Sequence, residues 1–292
     1  MTGPNIIYSP TTLISMSVIA ILRRLRHGPL RFLSPVWTPL GNLYRRRFVR
    51  SGSTRLSNHR IGRYGPFKMS GEFAFSDFEN WGEAHNSGFE FCVEASRDKM
   101  CMLDIGGHIG LVTMPVSQVL APGGQVFAFE PSQANRQTLQ RHIDVNEIDN
   151  VTVVDSLVGD TEVADIVFYE HASVSGMNTR APIKSEDEYA ETHRAQTTLD
   201  AFCRTRGIRP DVIKIDVEGA EFSVLEGARD VLAKDRPLLV VSIHPQHLKA
   251  LGRDAAELHT LATASGYTVS DTNGRTVETF QLDEYVLTAN GI

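Results

Sequence analysis

The first seventy residues contain no aspartate and no glutamate, yet they carry twelve lysines and arginines. The rest of the chain reverses the balance with seventeen basic and thirty-five acidic residues, so a formal charge of -6 conceals a +12 segment ahead of a -18 body. Cysteine is scarce. Cys92, Cys101 and Cys203 have neither the spacing of a zinc site nor the number for a disulfide framework, which suits a reducing, cytoplasmic compartment. Long apolar runs are also missing. The N-terminal run from Thr11 to Leu22 is too short to span a bilayer, and Pro10 interrupts its extension backwards. It makes a poor signal peptide, because Arg23, Arg24 and Arg26 follow the run instead of preceding it, and no small-residue cleavage site comes after. There is no internal repeat and no low-complexity tract.

What remains is an ordinary globular composition, 41% hydrophobic and 22% charged over 292 residues, enough for one large core with an appendage. The basic segment points to an anionic partner: a membrane surface, a phosphorylated substrate or nucleic acid. It could equally lie on the acidic body of its own chain or of a second copy, which leaves a homo-oligomer open. Phe32, Trp37 and Tyr44 between arginines suit peripheral membrane contact through residues 1–50, and Pro35 and Pro39 are expected to prevent a long regular helix there. The expected organisation is a basic extension over 1–70, a connecting, substrate-side segment over 71–97, and a catalytic domain over 98–292 whose last residues fray after Ala289. In the connecting segment, Phe78 and Trp81 offer a stacking wall for a sugar, with His85 in contact.

The body reads as alternating strands and helices. Met102–Ile105, Gln125–Phe129 and Val151–Val154 are short apolar runs that barely alternate, as in a parallel sheet covered on both faces. Helical stretches separate them, "LVTMPVSQVL" and "SQANRQTLQRHIDVNE". "EVADIVFYE" is a further strand, followed by a loop through "SGMNTRAPIKSEDEYAETH". Thr197–Gly207 reads as a helix capped by threonine and closed by glycine. "DVIKID" and "PLLVVSIH" are strands flanking one helix over Gly219–Ala233. "DAAELHTLATASG" is a helix, and "YTVSD" and "EYVLTA" are the last strands. This predicts an α/β, doubly wound domain with its ligands at the carboxyl ends of the strands.

The stretch "CMLDIGGHIGLVTM" interrupts this pattern with glycines. Gly106 and Gly107 permit a tight turn and close approach of backbone to a ligand, and Gly110 lets the next helix start against the sheet. Twenty residues after Gly110, Glu130 ends the second strand, where an acid suits a ribose diol. A dinucleotide would want a G-x-G-x-x-G turn, whose middle glycine is missing here. Asp104 would oppose a pyrophosphate but suit a cofactor with a cationic amino-acid end. The residues therefore favour S-adenosylmethionine over a dinucleotide, with an NAD-dependent oxidoreductase as the weaker alternative.

"LDIGGHIG", "VFAFEPSQANRQTLQRHIDVNEIDNVTVV", "TTLDAFCRTRG" and "VIKIDVEGAEFSVLEGARDVL", in this order and spacing, resemble the FkbM-type methyltransferases over about residues 98–245. The resemblance implies a mostly parallel seven-stranded sheet of the class I methyltransferase type (Rossmann-like). It implies S-adenosylmethionine as cofactor and O-methylation of a sugar, glycan or natural-product acceptor. By the same resemblance Asp104, Gly106 and Gly110 line the methionine end of the donor, Glu130 holds its ribose, and Asp155 with Ser156 lies near the adenine. This chain has Gly107 and His108 where the family usually has Ala-Asn, so His108 could replace an asparagine contact or point elsewhere.

Candidates for the chemistry lie at the later strand ends. Asp216 and Glu218 place two acids beside Glu221, which reads as a helix-start charge. Such crowding calls for a nearby cation such as Lys214. His244 ends the next strand and, with an ordinary pKa near neutrality, is a candidate base. His171 could reach the same pocket if "HASVSGMNTR" folds over it as a lid, and Arg180 and Lys184 could receive an anionic group of the substrate. Asp216 and His244 could also ligate a divalent ion, but their spacing is no recognised metal motif and no metal is expected. A nucleic-acid methyltransferase gripping phosphates with its basic arm is the alternative function. It is disfavoured because no zinc finger, RNP-like stretch or Asn-Pro-Pro-aromatic motif is present.

Overall fold

The computed structural model describes residues 21–23, 25, 26, 28, 31–82, 86–171, 173–180 and 189–291, and the chain divides into two units, Met1–Trp81 and Gly82–Ile292. Most of the apolar run Thr11–Leu22, His85 and Lys184 lie outside the described residues.

In the first unit the two prolines do not prevent a helix. α1 (Ser34–Arg50) runs for 17 residues through both. Pro35 sits in the first turn, where a missing N–H is an orphan donor anyway, and Pro39 follows within about one turn, so little of the bond ladder is lost. An antiparallel hairpin follows, β1 (Leu56–Ile61) and β2 (Tyr64–Ser70). Its sequence, with Asn58, Arg60 and Lys68 and few β-branched residues, gives no strand signal. Burial of Ile61, Phe67 and Met69 with Phe73 and Phe78 holds it instead. The Phe78 ring meets His59 at 5.3 Å and Trp81 at 6.3 Å, so it serves this small core and not a sugar-stacking wall.

The second unit follows the expected alternation. Its elements are α2 (Phe89–Ala95), β3 (Cys101–Ile105), α3 (Thr113–Ser117), β4 (Gln125–Phe129), α4 (Gln133–Val145), β5 (Val151–Val154), β6 (Leu157–Val158), β7 (Val163–Glu170) and β8 (Ala190–Thr197). Then come α5 (Leu199–Arg206), β9 (Val212–Ile215), α6 (Glu221–Glu226), α7 (Arg229–Lys234), β10 (Leu238–Ile243), α8 (Pro245–Ala250), α9 (Ala255–Ala264), β11 (Tyr267–Asp271) and β12 (Asp283–Ala289). Seven of the strands form one sheet in the order β11-β12-β10-β9-β3-β4-β5. Neighbours from β5 to β10 pair parallel, and β12 lies antiparallel between β10 and β11. This is the mostly parallel, doubly wound sheet of the class I, Rossmann-like type. The chain runs outward from β3 to β5 and then returns to β9 on the other side of β3. That reversal makes the carboxyl ends of β3 and β9 the topological switch point of the sheet, where ligands of such folds sit.

Several local expectations are corrected. β7 does not join the main sheet but forms a three-stranded one in the order β6-β8-β7, and β8 occupies residues expected to be loop up to His193. Its segment "AETHRAQT" is polar and half-exposed, so no apolar alternation announces it. The helix after the glycine turn shrinks to Thr113–Ser117, where the Asn150 amide donates to the Ser117 carbonyl at 2.9 Å. The helix over Gly219–Ala233 is two. Asp200 interrupts it by accepting the amides of Asp230 and Val231 at 3.0 and 2.9 Å, starting α7 afresh. α5 agrees with its sequence signals, with Thr198 accepting the Ala201 amide at 3.0 Å and Gly207 closing the helix at φ +65°. All three cysteines are free and buried.

Candidate active site

The glycine turn leaves β3 at the centre of the sheet. The amides of Gly106 and Gly107 donate to the Phe129 carbonyl at 3.0 and 2.9 Å, fastening the turn to the end of β4, and the Gly110 amide donates to Gly107. Gly106 adopts φ +90°, and a Cβ there would overlap the carbonyl oxygen of Asp216. The turn and the loop after β9 therefore touch backbone to backbone, as only glycine permits. His108 follows at φ +48°, in the left-handed region.

Glu130 receives the turn from the other side. Its Oε2 accepts the His108 amide at 2.8 Å, and its Oε1 accepts the Ser132 amide at 2.9 Å and the Asn135 amide group at 3.4 Å. Burial still pushes its carboxyl up to about 7, the hydrogen bonds from Ser132, His108 and Asn135 opposing the shift. Further donors, such as a ribose diol, would suit this carboxylate. Asp155, at the end of β5, pairs with Arg136 at 2.7 Å and is half-exposed. The Ser156 hydroxyl donates toward the carbonyls of Leu157 and Ala195, so toward a ligand Ser156 has only its oxygen lone pairs and its backbone to offer.

Asp104 is fully buried. Its Oδ2 accepts from the Thr113 hydroxyl at 2.6 Å, and its Oδ1 lies 3.3 Å from Lys214 Nζ. Lys214 also donates to the Gly106 carbonyl at 2.9 Å and lies 3.6 Å from Asp216 Oδ2. Burial alone would depress the ammonium, but Asp104 and Asp216 outweigh it and hold Lys214 above its ordinary range. Asp104 thus braces the turn through Lys214 and Thr113.

On the far side of Lys214 the acids gather round an imidazole. His244 Nε2 lies 3.7 Å from Asp216 Oδ1 and 3.8 Å from Glu218 Oε1. Its Nδ1 lies 2.7 Å from Oε1 of Glu221, which also accepts the Gly219 amide at 3.1 Å. Glu221, read in the sequence as a helix-start charge, is fully buried and anchors this histidine. Burial would lower the His244 pKa, but the bond to Glu221 and the charges of Glu218 and Asp216 raise it to about 9. Burial lifts Glu218 to about 7, against the opposing charge of His244. His247, unremarked in the sequence, lies on α8 with Nε2 3.4 Å from Glu218 Oε2. A side chain on Gly219 would collide with its backbone, so glycine again lets two elements close up.

Three of the four catalytic candidates, Asp216, Glu218 and His244, therefore meet. The His171 ring packs on Tyr189, centroids 4.5 Å apart. Its loop does bridge the site. Ser175 exchanges hydrogen bonds with Asn135, at 2.8 and 3.0 Å, and the Thr179 hydroxyl donates to the Glu218 carbonyl at 3.0 Å. Arg180 is half-buried and donates to Gln196 at 3.3 Å, so it braces the small sheet. Glu284 on β12 accepts the Gly88 amide at 2.6 Å and the Ser242 hydroxyl at 3.0 Å; it too was missed, because nothing in "LDEYVLT" marks it.

The groups present fit S-adenosylmethionine: a tight glycine turn, a buried carboxylate at the end of β4, and an acid at the end of β5. Because Glu130 titrates near 7 against an ordinary 4.5, the ligand-free fold favours its neutral form. Its contribution to stability is complete below about 4.5 and is lost as pH rises through 7. A diol that donates to the ionised carboxylate reverses that loss. The rise in melting temperature given by S-adenosylhomocysteine should accordingly be larger at pH 8 than at pH 6. Equal shifts would show that Glu130 does not meet the ligand.

A family model described as the methyltransferase FkbM domain matches residues 104–269, more than half of the chain. Methyltransferase 1 of Beauveria bassiana (strain ARSEF 2860) is 28% identical over 151 residues, which cover 46% of this chain and 60% of that relative. The crystal structure of methyltransferase FkbM from Methylobacillus flagellatus KT aligns at 22% identity and a TM-score of 0.43, covering 66% of this chain and 44% of that one. M. jannaschii TYW2 in complex with AdoMet aligns at 13% identity and a TM-score of 0.41, covering 81% and 86%. The chain thus spans less than two thirds of the length of the first two.

Proposed function

The chain belongs to the FkbM methyltransferase family, and from that premise we propose that it is an S-adenosylmethionine-dependent O-methyltransferase acting on a hydroxyl of a sugar, glycan or natural-product acceptor. The observation that supports this reading is the direct abutment of the glycine turn on the loop carrying Asp216 and Glu218. Glu130, Asp155 and the glycine turn would hold the donor, and the loop carrying Asp216 and Glu218 would supply the groups that meet the acceptor.

When bound, S-adenosylmethionine supplies a methyl carbon made electrophilic by its sulfonium. The protein's share is to orient the acceptor oxygen, take its proton and keep water away. Glu218, titrating near 7 beside the charge of Asp216, is matched to accept that proton at neutral pH, while His244, fixed by Glu221, sets the electrostatics around the two carboxylates. The loop through Ser175 and Thr179, tied to Asn135 and to Glu218, supports the exclusion of water.

Transfer of labelled methyl groups to a panel of sugars, glycans and lipid-linked saccharides tests the reading. Glu218→Gln is expected to lower kcat by about 10²-fold or more while leaving S-adenosylhomocysteine affinity unchanged. A variant that keeps its rate would remove Glu218 from the chemistry, and failure of the wild-type protein to bind S-adenosylhomocysteine would sink the whole reading.

The basic segment supports a second element of the proposal. No described helix is long and apolar enough to cross a membrane. Yet α1 exposes Val36, Leu40 and Leu43 at helical spacing, each more than half accessible, with Arg46, Arg47 and Arg50 exposed on the same helix. Such a face suits an anionic lipid surface. The full chain should float with liposomes containing phosphatidylserine, and Leu40→Ser with Leu43→Ser should stay behind. Equal flotation of the two would refute the contact.

A further inference from the structure

The sequence spacing of residues 216, 218 and 244 matches no metal motif, but the parallel pairing of β9 with β10 brings their side chains to one place. We propose that Asp216, Glu218 and His244 bind a divalent cation of the Mn2+ kind. One donor atom from each lies within 4.8 Å of the other two. The His244 Nε2 separations of 3.7 and 3.8 Å are too long for hydrogen bonds. They do fall within the span of about 4.2 Å open to two ligands each about 2.1 Å from a shared ion. Two carboxylates and one imidazole form a borderline-hard set, suited to Mn2+, Fe2+ or Mg2+ more than to soft ions.

A second observation is independent of the donors themselves. Metal-binding histidines give one ring N–H to a carboxylate and turn the other nitrogen to the ion. His244 is set in this way: Nδ1 is 2.7 Å from the wholly buried Glu221, and Nε2 faces Asp216 and Glu218. Glu221 keeps its other oxygen, Oε2, buried with no hydrogen-bond partner among the described residues. Asp104, Asp216, Glu218 and Glu221 share one lysine, and Lys214 reaches Asp216 through Oδ2, leaving Oδ1 on the His244 side. The second oxygen of Glu218 lies 3.4 Å from His247 Nε2.

Binding of the ion stands without the methyl-transfer reading. Its role rests on that reading: the ion would hold the acceptor oxygen and acidify its hydroxyl, whose proton then leaves to solvent, with Glu218 serving as a ligand instead of a base. An acceptor with adjacent hydroxyls, as in a sugar, then has two oxygens for the open positions.

The full chain, treated with chelator and freed of it, is titrated with Mn2+ in the absence of donor and acceptor. Calorimetry and the electron paramagnetic resonance signal of free Mn2+ report binding. One ion per chain is expected. His244→Ala and Asp216→Asn should each weaken it at least about tenfold, and Glu221→Gln, which touches no ion, by about 10–100-fold. The exposed Glu278→Gln should bind as the wild type does. If either ligand variant fails to melt cooperatively, Glu218→Gln replaces it, since that side chain is partly exposed in a loop. Affinity unchanged by these substitutions, or no binding to the wild-type chain, overturns the site. Full methyl transfer in chelator by a chain that ignores Mn2+ overturns the site and leaves the function standing. Mn2+ retained by a chain that binds no S-adenosylhomocysteine upholds the site and overturns the function.

Discussion

Lys214→Met is expected to destabilise the protein by about 3–5 kcal/mol, because it strips the cation from a buried network and leaves its carboxylates behind. Asp104 and Lys214 face each other in register across β3 and β9 at the centre of the sheet. Asp104 would keep only the Thr113 hydroxyl, at 2.6 Å, and its repulsion of Asp216 would no longer be offset. Methionine roughly fills the lysine stem, so the loss reports charge and not a cavity. Urea unfolding monitored by circular dichroism measures it. Adding Asp104→Leu to Lys214→Met should recover part of the stability, since replacing both partners removes the unpaired charge. A single variant as stable as the wild type would show that this ion pair does not hold the site together.

Gly106→Ala is expected to cost more than about 4 kcal/mol and to abolish S-adenosylhomocysteine binding. The added methyl would overlap the Asp216 carbonyl oxygen and lie 3.0 Å from its carbon, at a φ of +90° that alanine rarely adopts. Backbone is the obstacle on both sides, so no side chain can swing away. The turn would have to part from the β9 loop, separating the cofactor side from Asp216, Glu218 and His244. Gly176→Ala is the control, as a Cβ there meets nothing within 4 Å, and it should change stability little. A folded Gly106→Ala protein that still binds S-adenosylhomocysteine would refute the close approach on which the site depends.

The sequence by itself determined the alternation of strands and helices from β3 to β5 and the strands β9 to β12, the glycine turn, and the acid at Glu130. Each is a local pattern: apolar runs of strand length, caps such as Thr198 and Gly207, glycine where backbone must come close. The polar strand β8 escaped because its partners, β6 and β7, supply the pairing that its own residues do not advertise. The helix through Pro35 and Pro39 escaped because proline's cost depends on where in the helix it falls. Only the tertiary structure decided which polar residues act together. Glu221 and His244 are 23 residues apart, and Lys214 lies 108 from the Gly106 carbonyl it serves. Their partnership comes from the order in which parallel strands lie side by side. A periodicity records which face of a strand is buried; which strand lies next to it, and so which charges must share one small space, is settled only when the sheet closes.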